Sequence, residues 1–270
     1  MARSRTQRVL VTTVSEDNDG IVAHRRHPDL LIVEEPLTIQ LDGVVVATTM
    51  RTPGHDFELA VGYCHTEGLL AGAPVSGVRY CGTGSAVATE FNVVTVETGG
   101  AAPTPTPRLT ATSSSCGWCG SDQLDEMCAR LAPLPPGTAV DTALIARVPE
   151  LVAPHQALFA ATGAVHAAAA FTADGDVLHV REDVGRHNAV DKVVGTLRLA
   201  DALPATGLGL FVSSRASVEM VQKAWAAGFS TVVAVSAPTA LAVDAARRAN
   251  LVLAGFVRPD RLNIYHPDRL

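Results

Sequence analysis

The sequence predicts an α/β protein with a layered, partly parallel C-terminal sheet and a smaller N-terminal α+β unit, on three observations. Short apolar runs at 208–212, 231–235 and 251–256 alternate with helical periodicity at 217–227 and 239–250. That is the pattern of strands buried on both faces with helices laid over them. Residues 30–48 read as extended segments around Asp42-Gly43, a hairpin signal. Between these regions, residues 98–115 are rich in Gly, Pro, Thr and Ser, a composition that buries too little apolar area to order itself. We therefore expect an α+β unit at 1–97, a linker carrying a cysteine loop and a helix at 98–137, and the larger α/β unit at 138–270.

The N-terminus is basic like an export signal, but its apolar stretch at 9–14 is short and ends in Ser-Glu-Asp-Asn-Asp, so no signal is expected. After the hairpin, Pro53-Gly54 breaks the chain and Asp56 can cap a helix whose Leu59, Ala60, Tyr63 and Cys64 share a face. Strands near 77–80 and 91–96 complete the smaller unit. Beyond a second Pro-rich break at 131–137, a helix is expected near 151–162, a hairpin at 165–181 turning at Asp174-Gly175, and a helix at 185–200.

Composition narrows the function. With 47% hydrophobic and 18% charged residues the chain is globular rather than disordered. A net charge of −6 and an aromatic content of 4% argue against nucleic acid as a partner, since phosphate neutralisation and base stacking both lack their residues. The longest apolar passage, 157–171, is interrupted by Gly163 and His166 and is too short to cross a bilayer. An odd number of cysteines, five, does not describe an extracellular disulfide framework, so a cytoplasmic protein is expected.

Cys116 and Cys119 lie in Ser-Ser-Cys-Gly-Trp-Cys-Gly, just before a helix start at Ser121-Asp122-Gln123-Leu124. A helix N-terminus favours thiolate over thiol, and a thiolate is what attacks an activated sulfur donor. A closed zinc site would need four ligands, and no second Cys-x-x-Cys accompanies this one. A redox dithiol remains open. A zinc nucleobase deaminase is a further rival through His166, but that chemistry places His-x-Glu before the cysteines, whereas here His166 follows them. An isolated His in an Ala-rich segment reads as a packed core residue. Cys64 and Cys128 read as small buried hydrophobes, and Cys81 is ambiguous.

Four loops follow predicted strands: Arg181 to Asn188, Ser213 to Ser217, Ser236 to Thr239, and Gly255 to Arg261. If the strands are parallel, these loops gather at the carboxyl edge, where open α/β sheets bind ligands. Arg186, Arg215, Arg258 and Arg261 would then meet at one pocket suited to phosphate. Glu182, Asp183, His187, Asn188 and Asp191 would hold the arginines or bind ribose and base.

The chain resembles the FdhD family of formate dehydrogenase accessory sulfurtransferases. The likeness runs through Thr-Pro-Gly-His-Asp-Phe-Glu-Leu-Ala-Val-Gly62, Thr66-Glu-Gly68 and Ser-Cys-Gly-Trp-Cys-Gly120. It continues in Thr162-Gly163, Glu-Asp-Val-Gly-Arg-His-Asn-Ala-Val-Asp-Lys192, Ser-Arg-Ala-Ser-Val-Glu-Met-Val-Gln-Lys223, Ser-Ala-Pro-Thr-Ala-Leu-Ala, Gly-Phe-Val-Arg and Ile264-Tyr265. It covers roughly residues 30–266. Ser214 departs from it, standing where the family pattern has Gly in Ser-Gly-Arg, and so does Ala164, where a second Gly is common.

The resemblance implies a three-layer, cytidine-deaminase-like α/β/α C-terminal domain. It implies a sulfurtransferase that accepts sulfur from a cysteine desulfurase as a persulfide. The sulfur would pass to the molybdenum bis(molybdopterin guanine dinucleotide) cofactor, a bound substrate, before its insertion into formate dehydrogenase apoenzyme. Cys116 would bear the persulfide with Cys119 as its partner, and a homodimer is implied. Phe256, Val257, Arg258, Pro259, Asp260 and Arg261 would bind the cofactor, alongside Arg186, His187, Asn188, Ser214 and Arg215. No permanent metal is expected. The alternatives are a non-catalytic cofactor chaperone and a thiol-disulfide oxidoreductase.

Overall fold

The computed structural model describes residues 4–16, 22–81, 85–105, 129–135 and 141–267. Cys116, Cys119 and Cys128 lie outside the described residues.

A long hairpin, β1 (Thr6–Glu16) and β2 (Val22–Ile32), opens the chain. The sequence reading missed it because most of its residues are exposed on both faces, which leaves no alternation to detect. A four-stranded sheet follows, in the order β4-β3-β6-β5, from β3 (Glu35–Leu41), β4 (Val44–Arg51), β5 (Gly77–Tyr80) and β6 (Val93–Glu97). Leu37, Ile39 and Leu41 alternate inward from β3 and pack with Val94, Val96 and the Leu59, Ala60 and Cys64 face of helix α1 (Asp56–Thr66). Asp56 does not cap this helix as expected. His55 precedes it, with φ 57°, and the Asp56 carboxylate accepts from Arg51 Nε at 3.1 Å and Nη2 at 3.0 Å.

The larger sheet has six strands in the order β12-β11-β10-β9-β7-β8. These are β7 (His166–Phe171), β8 (Val177–Asp183), β9 (Gly209–Val212), β10 (Thr231–Ala234), β11 (Val252–Arg258) and β12 (Arg261–His266). β9, β10 and β11 are mutually parallel; β7 runs antiparallel to both β8 and β9. β8 therefore points the same way as the parallel strands.

Both faces are covered, as the strands' continuous apolar runs demand. Val212, Val232 and Leu253 pack under α4 (Arg186–Leu199), α5 (Val218–Ala227) and α6 (Ala240–Ala249). On the opposite face Phe211, Val233 and Ala254 pack with Ile145, Val148 and Val152 of α2 (Thr142–Val152).

Two expectations about elements fail for local reasons. The helix expected at 151–162 is two helices, α2 and α3 (Ala157–Thr162), joined by a 3-10 turn through Pro154, whose missing N–H cannot continue the ladder. The segment 255–261 is not a loop: β11 continues to Arg258 and turns at Pro259-Asp260 into β12, pairing Arg258 with Arg261. Leu131 and Leu134, at the expected Pro-rich break, pack against the larger core, and Trp225 Nε1 donates to the Ala132 carbonyl at 2.7 Å.

Candidate functional site at the carboxyl edge

The ends of β8, β9, β10 and β11 and the start of β7 share one edge of the larger sheet, as the loop sequences anticipated. What the charged residues do there differs from the expectation. The Lys192 ammonium lies 2.7 Å from Asp183 Oδ2, both side chains fully buried. It also donates to the Thr52 carbonyl at 3.0 Å. Burial pulls the Lys192 pKa down while Asp183 opposes the shift. Asp183 accepts in turn from the backbone N–H of Thr52 and of Gly185.

The buried Asn188 amide donates to the Met50 carbonyl at 2.8 Å and to Asp183 at 2.9 Å. Asp191 accepts from Lys223 and Thr66, and Gln222 donates to the Thr66 carbonyl. Glu182 caps α3 by accepting from the N–H groups of Leu158 and Phe159 at 2.9 and 2.8 Å. Glu182, Asp183, Asn188 and Asp191 therefore bond scaffold groups rather than the arginines. They fasten α4 to the smaller sheet and to α1, and α3 to β8, because a buried carboxylate or amide must be satisfied.

The arginines do not meet at one pocket. Arg186 opens α4, exposed Arg215 follows β9, and exposed Arg258 and Arg261 pair at the β11–β12 turn. Strand spacing from β8 to β12 spreads them over roughly 24 Å, five inter-strand steps, so they form a strip along the edge. Arg258 Nη1 donates to the Val235 carbonyl at 2.8 Å. The Arg186 guanidinium makes no hydrogen bond or ion pair among the described residues, and its Nε is buried. Burial, Lys223 and Arg186 pull His187 down to about 4; burial and Arg186 likewise lower His166. The cation that acts on both imidazoles is Arg186, whose charge also helps to lower the neighbouring Glu219 carboxyl.

Ser214 is buried, its hydroxyl donating to the Arg215 carbonyl at 3.0 Å. Phe256 sits at an irregularity of β11 with φ 52°, is 42% exposed, and beside it Val257 is buried. A cleft of roughly 530 Å³ opens on the α2 side of the edge, lined by Gln156, Phe159, His166 and Ser213 with Val184 and Val235 among its apolar walls. None of the expected binding residues lines it.

The FdhD/NarQ family model matches residues 32–270. The chain belongs to the FdhD/NarQ family. Among FdhD/NarQ relatives, sulfur carrier protein FdhD of Mycolicibacterium paratuberculosis is 44% identical, over 88% of this chain and 90% of the relative. Its counterpart in Streptomyces coelicolor is 46% identical, over 92% and 90%. The fold matches the crystal structure of a protein from Desulfotalea psychrophila assigned as a formate dehydrogenase accessory protein. The TM-score is 0.75 at 23% identity, covering 97% of this chain and 99% of that one. Among the described residues of this FdhD/NarQ chain, no helix is long and apolar enough to cross a membrane.

Two cysteines of this FdhD/NarQ chain are placed. Cys64 packs in the core of the smaller sheet, where burial, then Asp191 and Glu67, push its thiol up to about 12. Cys81 is also buried, 3.6 Å from the Thr89 hydroxyl. Iodoacetamide at pH 8 should leave Cys64 unlabelled in the folded protein and label it after denaturation, because only thiolate reacts. Peptide mass mapping checks this, and labelling of native Cys64 would contradict its placement. Sequence reasoning placed the Ser213 loop at this edge but passed over Phe159 and Gln156 and read His166 as a packed core residue. The available signal was Thr162-Gly163, which ends α3 with Gly163 at φ 66° and turns the chain into β7 beside the cleft.

Proposed function

We propose that this protein is a sulfur carrier in formate dehydrogenase maturation, with Cys116 receiving sulfur as a persulfide. The observation that carries the reading is Cys116 and Cys119 in Ser-Ser-Cys-Gly-Trp-Cys-Gly, in a chain 44–46% identical to proteins named sulfur carrier protein FdhD. The sulfur donor on this reading is a cysteine desulfurase. The Cys116 thiolate attacks the terminal sulfur of the donor's persulfide; a new S–S bond forms as the old one breaks, and the donor cysteine leaves as thiolate. Cys119 tunes or resolves the persulfide.

The acceptor is the molybdenum bis(molybdopterin guanine dinucleotide) cofactor, bound as substrate and then passed to formate dehydrogenase apoenzyme. The strip of Arg186, Arg215, Arg258 and Arg261 suits its phosphates, because an extended dinucleotide needs a line of cations. Phe256, Val257, Pro259, Asp260, His187 and Ser214 belong to the same strip. Asn188 shapes it indirectly, by bonding the carboxylate that anchors Gly185. Two copies of the chain act as a homodimer.

Incubation with desulfurase and cysteine should add about 32 daltons per sulfur to the wild-type cysteine peptide. Cys116→Ala should show no such gain and leave the host's formate dehydrogenase inactive. A variant that still matures the enzyme, with no second sulfurtransferase present, would remove Cys116 from the mechanism.

A further inference from the structure

The Thr-Pro-Gly-His-Asp-Phe-Glu stretch at the start of α1 plays no part in the arginine strip, yet it meets two arginines from elsewhere in the chain. Arg5 stands at the foot of the β1–β2 hairpin, where its carbonyl accepts from Val33 N at 2.9 Å. Its side chain lies over Gly54: a Cβ on that glycine would stand 3.6 Å from Arg5 Nε and 3.7 Å from its Cδ. Arg181 reaches the same turn from β8. Its Nη2 is 3.8 Å from Glu58 Oε1, the oxygen that His55 Nδ1 bonds at 3.0 Å, so one carboxylate serves both groups. Burial lowers the Arg181 pKa, Glu58 opposes the shift, and Arg5 adds to it as a like charge. Lys192 gives no balance, because Asp183 holds it at 2.7 Å. The Nε atoms of Arg5 and Arg181 are both buried and have no hydrogen-bond partner among the described residues.

Two guanidiniums at one turn repel each other, and buried N–H groups without acceptors cost stability. An anion that accepts from both offsets the two costs together. The niche is open to solvent, since the Arg181, Glu58 and His55 side chains are 16%, 23% and 36% exposed. We infer that it binds a small dianionic oxyanion, sulfate or inorganic phosphate, bridged between the Arg5 and Arg181 guanidiniums. The planar fork of arginine matches the oxygens of such an ion. Its consequence lies in the hairpin, which belongs to neither of the larger sheets. A two-stranded hairpin is marginally stable by itself, so the order of β1 and β2 depends on what fastens their foot, and the anion is one such fastening. None of the four strip arginines takes part, and the inference stands independently of the cofactor reading.

Hydrogen exchange of the full chain, in chloride buffer with sulfate added at constant ionic strength, tests this. Sulfate at ten times its dissociation constant should slow exchange at residues 6–9 and 30–32 roughly tenfold, because it binds only the closed hairpin foot. Phosphate should act as sulfate does, and acetate, with one charge, should not. Any general stabilisation by excluded sulfate slows exchange across the whole chain and in every variant, so it is read from the other peptides. Arg5→Gln and Arg181→Gln should each abolish the local slowing; Arg5→Lys keeps the charge without the fork and should retain part of it. Arg186→Gln should retain all of it. Equal slowing in wild type and Arg5→Gln, or none at the hairpin foot of the wild type, overturns the niche. Slowing lost in Arg186→Gln and kept in Arg5→Gln also overturns it, while leaving the cofactor strip in place.

Discussion

Gly195→Ala should lower Tm by roughly 10 °C, a loss of about 3 kcal/mol, although alanine is the better helix former by ~1 kcal/mol. The sign follows from how α1 meets α4. A Cβ on Gly195 would overlap the Glu58 carbonyl oxygen and lie 2.9 Å from Glu58 Cα. A Cβ on Gly62 would overlap the Asp191 carbonyl oxygen and lie 2.9 Å from Gly195 N. The two glycines are the places where the helices touch backbone to backbone, and backbone cannot rotate out of the way as a side chain can. A methyl group at either position must push the helices apart. That movement stretches the hydrogen bond from Thr66 Oγ1 to Asp191 Oδ1, 2.8 Å long, and the contacts of Lys223 beside it. Thermal unfolding followed by circular dichroism measures the effect. A Tm within ~2 °C of wild type would show that the helices are not in backbone contact.

The parallel strands were legible because Leu210, Val232 and Leu253 sit in unbroken apolar runs, a pattern that burial on both faces imposes. The hairpins at Asp42-Gly43 and Asp174-Gly175 were legible because the turn chemistry is local. β1 and β2 were not, since neither face is continuously buried, and β12 was not, since an edge strand carrying Asn263 and His266 has no apolar run. The site was harder for a different reason. Asp183 and Asn188 look like ligand residues in sequence, but they bond Thr52 and Met50, more than 130 residues away. A buried polar contact between distant segments leaves no periodicity in either. The cleft was illegible for the same reason: Phe159 and Ser213 come together only when α3 is capped by Glu182 and β7 pairs with β9.

Lys192→Met should cost about 3–5 kcal/mol, because it keeps the side-chain volume and leaves the Asp183 carboxylate buried without its counter-charge. Adding Asp183→Asn to that variant should recover only part of the loss. The amide removes the uncompensated charge, but one of its two ends becomes a donor. Asp183 Oδ1 accepts from Gly185 N and Asn188 Nδ2, and Oδ2 accepts from Thr52 N, so whichever end carries the NH₂ group confronts a donor. Urea unfolding of the two single variants and the double variant, taken as a cycle, measures the coupling; additive losses would mean that the pair is not buried together. The same proteins separate scaffold from ligand contact. If Lys192 only fastens the loop to Thr52, the folded fraction of Lys192→Met still binds guanosine diphosphate as wild type does, while Arg186→Gln stays folded and does not. Lys192→Met losing affinity without losing stability would move this lysine into the ligand site.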